Sequence, residues 1–197
     1  MVLDVCNASK INEIVISDDN LMKYIQDKYS NFKFISSTTK CLETFEDTIK
    51  ELEDSNYSLV CLNYNFNKDL ENLKKLPQEL KNKCEFLINA ICPSNCRNRK
   101  MHYDLNSDSM LNLGRPYAPF GCEINYATTH PINWNYKNNF SLEEIKQYHD
   151  LGFSHFKIEG RTLEEHEVLS NYLRFMIKPE WQYETIHAID IMKYDYE

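Results

Sequence analysis

Glycine is almost missing from this chain, with four residues in 197. A residue used so rarely tends to sit where backbone geometry demands it, because glycine alone reaches positive φ without steric cost. Gly114 and Gly121 bracket one loop, Gly152 follows a helical stretch, and Gly160 lies inside Lys157-Ile-Glu-Gly-Arg161. Long apolar runs are missing too. None approaches the roughly 20 residues of a membrane span, so no spanning helix is expected. The opening residues, Met1-Val-Leu-Asp-Val-Cys6, have neither a cationic segment nor a long apolar core, so no secretory signal is expected. Positive charge is in deficit. A net charge of −8 argues against a nucleic-acid footprint spread over the surface. It leaves room for a local basic pocket built from Arg97, Arg99, Lys100 and Arg115. No linker, repeat or low-complexity segment interrupts the chain.

What remains is ordinary for a globular protein: 42% hydrophobic and 26% charged residues. One domain over 1–197 is the simplest reading, with 178–197 as a C-terminal extension that the pattern does not place. Seven cysteines cannot all pair internally, and no export signal is seen. The expected setting is the reducing cytoplasm, where clustered thiols more often mark metal or redox chemistry than disulfides.

Short apolar runs alternate with amphipathic ones. Residues 12–17, 32–37, 58–63, 85–89, 123–128 and 155–159 read as strands. Helices are predicted at about 20–29, 42–54, 69–76, from 141 to before Gly152, and 162–175. Two of them open on capping boxes, Ser141-Leu-Glu-Glu144 and Thr162-Leu-Glu-Glu165. Such alternation implies parallel β/α units, either in an open doubly wound sheet or in a barrel. The strands end in small or polar residues: Ser36 and Ser37, Asn63, Asn89, Thr128, and Lys157 with Glu159 and Arg161. A (β/α)₈ barrel builds its active site from such ends, so the expected fold is a parallel barrel. A full barrel takes about 250 residues. Six units therefore predict an incomplete one, in a homo-oligomer or with a partner chain closing the wall.

The densest chemistry is Asn89-Ala-Ile-Cys92-Pro-Ser-Asn-Cys96-Arg-Asn-Arg99-Lys-Met-His102-Tyr103. Cys92 and Cys96 stand one turn apart, with Cys122 following after a loop rich in turn residues. These three are the candidate ligands of an iron–sulfur cluster or a zinc ion, since both favour thiolates. The fourth ligand stays open among His102, Cys61, Cys84 and a small molecule. The spacing matches neither zinc knuckles nor ferredoxin runs, and plain free thiols in a loop are the alternative. Cys6, Cys41, Cys61 and Cys84 read as small core residues. Lys157, Glu159 and Arg161 alternate along a strand and so lean to one side. Glu159 is the candidate general acid or base with Lys157 tuning it, and Arg161 a candidate carboxylate or phosphate ligand. The alternative is a buried structural ion pair. Arg97, Arg99 and His102 are candidates for gripping an anionic substrate, against a solvated helix face. His130 is a weaker candidate. No nucleophile with base and orienter, and no His-Glu-x-x-His motif, is present.

The Asn89–Tyr103 segment and Phe156-Lys-Ile-Glu-Gly-Arg161 together resemble peptidase family U32, the collagenase-like peptidases and their relatives, over residues 12–178. That resemblance implies a barrel-type fold. It also implies either peptidase activity or, as in the iron–sulfur relatives, oxygen-independent hydroxylation of quinone precursors or RNA bases. Beside it, the reading of the residues themselves takes Glu159, Lys157 and His102 as the expected catalytic groups and Arg97, Arg99, Arg161, Asn63 and Asn89 as the expected substrate contacts. The strands that normally begin the family's barrel have no counterpart here. The cysteine spacing also differs from the four-cysteine pattern of the hydroxylation relatives. The competing reading is a non-catalytic domain derived from that family.

Overall fold

The computed structural model describes residues 2–90, 92, 96–111, 139–160 and 165–194. Five strands form one parallel sheet: β1 (Glu13–Ile16), β2 (Lys33–Ser36), β3 (Tyr57–Cys61), β4 (Cys84–Leu87) and β5 (His155–Lys157). Their order in space is their order in sequence. A doubly wound sheet reverses its strand order at a switch point, and this one does not. Right-handed crossovers in an unreversed sheet bring the helices to one face. The strand expected at 123–128 lies outside the described residues.

The helices that return the chain are α1 (Val2–Ala8), α2 (Asp19–Lys28), α3 (Phe45–Glu53), α4 (Leu70–Leu73), α5 (Gln78–Lys81), α6 (Arg99–Leu111), α7 (Leu142–Asp150), α8 (Glu165–Met176) and α9 (Gln182–Tyr194). Local chemistry sets their starts. The Asp18 carboxylate accepts from the Leu21 amide, and Thr44 Oγ1 accepts from Asp47 N. Ser141 and Glu144 make the expected reciprocal capping box. The helix expected at 69–76 is the short α4, and Pro77 beyond it takes the N-cap of a further short helix, α5. Gly152 has φ of 95° after α7, as expected. A Cβ there would meet only the end of the flexible Gln78 side chain, so it is the backbone that selects glycine. None of α1, α5, α6 and α9 was expected. α6 has a polar, weakly periodic sequence that reads as loop, and only Arg99 of its residues is buried.

Register assigns the two faces of the sheet. Val60 pairs with Cys84 and Phe86 with Phe156, and these point to the helix side. Phe86 is the hub of that core. It meets Tyr148 and Phe153 edge-on at 5.1 Å and stacks on Phe156 at 6.0 Å. Such pairs add about 0.5–1.5 kcal/mol each beyond the area they bury. The opposite face carries Val15, Ile35, Leu59, Cys61, Glu85, Leu87, His155 and Lys157, in register across all five strands. A bulge where β2 meets β3 leaves Ser58 between two pairs. Its hydroxyl bonds the Phe34 carbonyl at 3.0 Å and Glu13 Oε1 at 2.9 Å. Among the described residues, no helix is long and apolar enough to cross a membrane.

Candidate functional site

The carboxyl ends of β3, β4 and β5 converge with the start of α6. After β3 the chain runs Asn63-Tyr64-Asn65. Asn63 is 6% exposed and fully engaged: Nδ2 donates to Leu42 O at 2.9 Å, and Oδ1 accepts from Asn65 N at 3.1 Å and from Arg99 at 2.7 Å. Arg99, the first residue of α6, is only 4% exposed. Its guanidinium also donates to Asn65 Oδ1 at 2.9 Å and, through Nε, to Cys92 Sγ at 3.3 Å, and it lies 4.8 Å from the Tyr64 ring centre. One buried cation thus ties the cysteine segment to the end of β3.

After β4, Asn89 faces the end of β5. Its Nδ2 donates to Glu159 O at 2.8 Å and its Oδ1 accepts from Glu159 N at 2.7 Å. A side chain here stands in for a strand partner and continues the ladder past the last β4–β5 pair. It fixes the backbone from which the Glu159 carboxylate extends. That carboxylate lies 3.4 Å from the Tyr64 hydroxyl. Burial, then the Glu159 charge, pushes the Tyr64 phenol far above its ordinary range, and burial likewise raises Tyr103. Both phenols are therefore neutral hydrogen-bonding groups at any physiological pH.

The thiols divide into two kinds. Cys61 and Cys84 are buried as expected, and burial pushes both up to about 12. Cys92 packs with Tyr103 against a small cluster of Cys61, Tyr64, Leu87 and Ala90. Burial raises its pKa and the Arg99 guanidinium opposes that rise; Cys96 lies within hydrogen-bonding reach of its sulfur. Cys41 departs from the expected core role. It is half-buried in a left-handed turn with φ of 55°, close enough to feel the charges of Arg99, Lys100 and Cys96.

The structure therefore brings together Cys92, Cys96, Arg99, Asn63, Asn89 and Glu159. Lys157 lies lower on the sheet, paired with Glu85 at 2.9 Å. His102 sits on α6, its ring near-parallel to that of Tyr103 with centres 6.5 Å apart, and Arg97 is exposed beside it. Cys122, Arg161 and His130 lie outside the described residues. Among the described residues, no three His, Cys, Asp or Glu side chains gather tightly enough to hold a metal ion. Sequence reasoning missed Tyr64, Asn65, Tyr103 and Cys41. Tyr103 carried a signal, being four residues from Arg99 and so on the same helix face once α6 is recognised. Cys41 carried none.

A model described as peptidase family U32 matches residues 2–188. The chain belongs to peptidase family U32. No curated protein matches the chain, and neither does any solved structure. The matched span includes every described element from α1 through β5 and α8, so the U32 assignment covers the whole sheet and its cysteine-bearing end.

Proposed function

We propose that this U32 chain is an enzyme whose site lies at the carboxyl ends of a barrel-like parallel sheet. In this reading Cys92, Cys96 and Cys122 hold an iron–sulfur cluster or a zinc ion. Glu159, Lys157 and His102 handle proton transfer, and Arg97 and Arg161 reach the substrate over a floor framed by Arg99, Asn63 and Asn89. The reaction class is hydrolysis or oxygen-independent hydroxylation. The barrel is supported by the unreversed strand order and by side chains that meet across an intervening strand. Glu13 of β1 reaches Ser58 of β3, and Tyr64 beyond β3 reaches Glu159 beyond β5. Neighbouring strands lie about 4.8 Å apart, so such contacts favour a sheet curved toward that face. The single observation that carries the site is Arg99, buried and hydrogen-bonded to the Cys92 sulfur. The two described thiols fit a soft centre in their chemistry, and a donor to the sulfur is the kind of outer partner that orients a ligating thiolate. Such a centre would supply Lewis-acid or electron-transfer chemistry. The chain's own residues would orient the substrate and hold a proton at the Glu159 carboxylate. A homo-oligomer, or a partner chain completing the wall, belongs to the same proposal.

The experiment is purification without oxygen, followed by iron, sulfide and zinc analysis and a visible spectrum. Iron with sulfide, or zinc, near one centre per chain and lost in Cys92→Ser supports the reading. A colourless, metal-free chain supports the alternative, a non-catalytic binding domain.

A further inference from the structure

We propose that Cys92 and Cys96 form a redox-active dithiol that exchanges with small anionic disulfides of the glutathione type and closes as an intramolecular disulfide. Two sulfurs four residues apart lie within hydrogen-bonding reach of each other, and both residues are only half-buried. Their positions differ in a way that assigns their order of attack. Cys92 packs inward against Tyr64 and Leu87, under Arg99, while Cys96 lies on the turn that enters α6, its carbonyl accepting from Arg99 N at 3.4 Å. Exposed Arg97 and Lys100 flank that turn, and although Lys100 pairs with Asp104, the face presents cations to an incoming anion. The start of a helix adds its own positive end.

The chemistry balances as a thiol–disulfide exchange. The Cys96 thiolate attacks one sulfur of the external disulfide, a Cys96 mixed disulfide forms, and the first small thiolate leaves and takes up a proton. The Cys92 thiolate then attacks Cys96 Sγ, the mixed bond breaks, and the second small thiol leaves. Two protein thiols are oxidised by two electrons and one external disulfide is reduced to two thiols. Arg99, donating to Cys92 Sγ, aims the resolving sulfur. Cys41 lies within electrostatic range of Cys96 and is the competing partner. The direct contact between Cys92 and Cys96 favours their pairing. This inference stands apart from the metal reading: the same sulfurs are blocked while a metal holds them and free to exchange once it is removed.

The test uses the full chain, as purified and after chelation, incubated with glutathione disulfide and mapped by mass spectrometry of its peptides. The expected wild-type product is a Cys92–Cys96 disulfide with no glutathione retained. Cys92→Ser should stop at glutathione on Cys96, and Cys96→Ser should leave Cys92 at least tenfold less modified. Cystamine, a cationic disulfide, should react several-fold more slowly than glutathione disulfide at low salt, and the gap should close in high salt. Stalling of the wild type as a mixed disulfide, a Cys41–Cys96 product, or no reaction after chelation would each overturn the proposal. A chain that binds no metal yet closes the disulfide sinks only the metal reading. A chain that binds metal and, once stripped, fails to close it sinks only this one.

Discussion

Among the described residues, the Lys40 and Arg99 side chains are both buried, and they are buried differently. The Lys40 side chain is 8% exposed and meets Asp19 Oδ1 at 2.6 Å, Glu51 Oε1 at 2.5 Å and the Tyr57 hydroxyl at 2.8 Å. Ser36 Oγ closes the set on Glu51 at 2.5 Å. Arg99 donates instead to two amide oxygens and a thiol and stacks on a phenol. The first cluster joins α2, α3, β2 and β3 through carboxylates that neutralise its charge. Among the contacts described, the second joins loop ends through two amide oxygens and a phenol ring, and reaches a nucleophile. A charge matched by carboxylates is a fastening, whereas a charge aimed at sulfur is a resource for chemistry. Replacement of each cation separates the two cases.

Lys40→Met should show the largest effect on folding. Removing one partner of a buried pair leaves the other unmatched and costs about 3–5 kcal/mol. Glu51, 14% exposed, suffers most, and Asp19, 59% exposed, contributes little of it. Urea denaturation should show the loss, while disulfide closure at Cys92 and Cys96 in the folded variant stays unchanged. Altered exchange would mean that the two clusters are one. The pH dependence has a definite sign. Burial alone would lower the Lys40 pKa, but bonds to Asp19, Glu51 and Tyr57 raise it above its unfolded value. Its contribution is therefore complete below the unfolded value of about 10.4 and is lost as pH rises through the folded one. Tyr57, raised to about 12 by burial and its bond to Asp19, contributes in the same direction. Asp19 is depressed by Lys40 and Tyr57, so its smaller share is present above about 3.9 and is lost as pH falls through its folded value. Wild type should lose stability toward alkaline pH faster than Lys40→Met.

Arg99→Met should cost less stability, about 1–3 kcal/mol, because the acceptors it strands at Asn63 and Asn65 are neutral amides. Its larger consequence should fall on the site, as slower resolution of the Cys96 mixed disulfide to the closed form. An unaltered rate of closure in Arg99→Met would place that residue with Lys40 as a fastening only.

The same contrast explains how much was legible in the sequence. Ile14, Ile16, Phe34, Val60 and Phe86 read as strand interior because a parallel sheet covered by helices makes apolar runs, and five of the six expected strands fall where their apolar runs stand. The Ser141 capping box and Gly152 were readable because each is a local rule satisfied within a few residues. Arg99 read as an exposed substrate ligand because burial of a cation is set by partners 34 and 36 residues away. α6 was missed because its polar surface carries no stripe to detect, and its anchor is that one charged residue. Cys41 went unseen for a similar reason, since only the left-handed turn after β2 turns it toward Arg99.

The smallest effect sharpens the distinction most. Asn89 looks like a polar strand end available to substrate, yet both its amide atoms are spent on the backbone of Glu159. Asn89→Ala removes two hydrogen bonds from a residue that is 4% exposed. At about 0.5–1.5 kcal/mol net for each bond, and with water able to enter at the sheet end, a loss of about 1–2 kcal/mol is expected in urea denaturation. If Asn89 were only a strand substitute, nothing else should change. Because its clamp sets where the Glu159 carboxylate leaves the chain, the variant should also free the Tyr64 phenol, seen as a shift in the tyrosine absorbance that titrates at high pH. The direction follows from the cause: with the Glu159 charge farther from Tyr64, its phenol should ionise at lower pH than in wild type. An unchanged phenol with the expected loss of stability would make Asn89 a fastening of the Lys40 kind, and would leave Glu159 held in place by β5 alone.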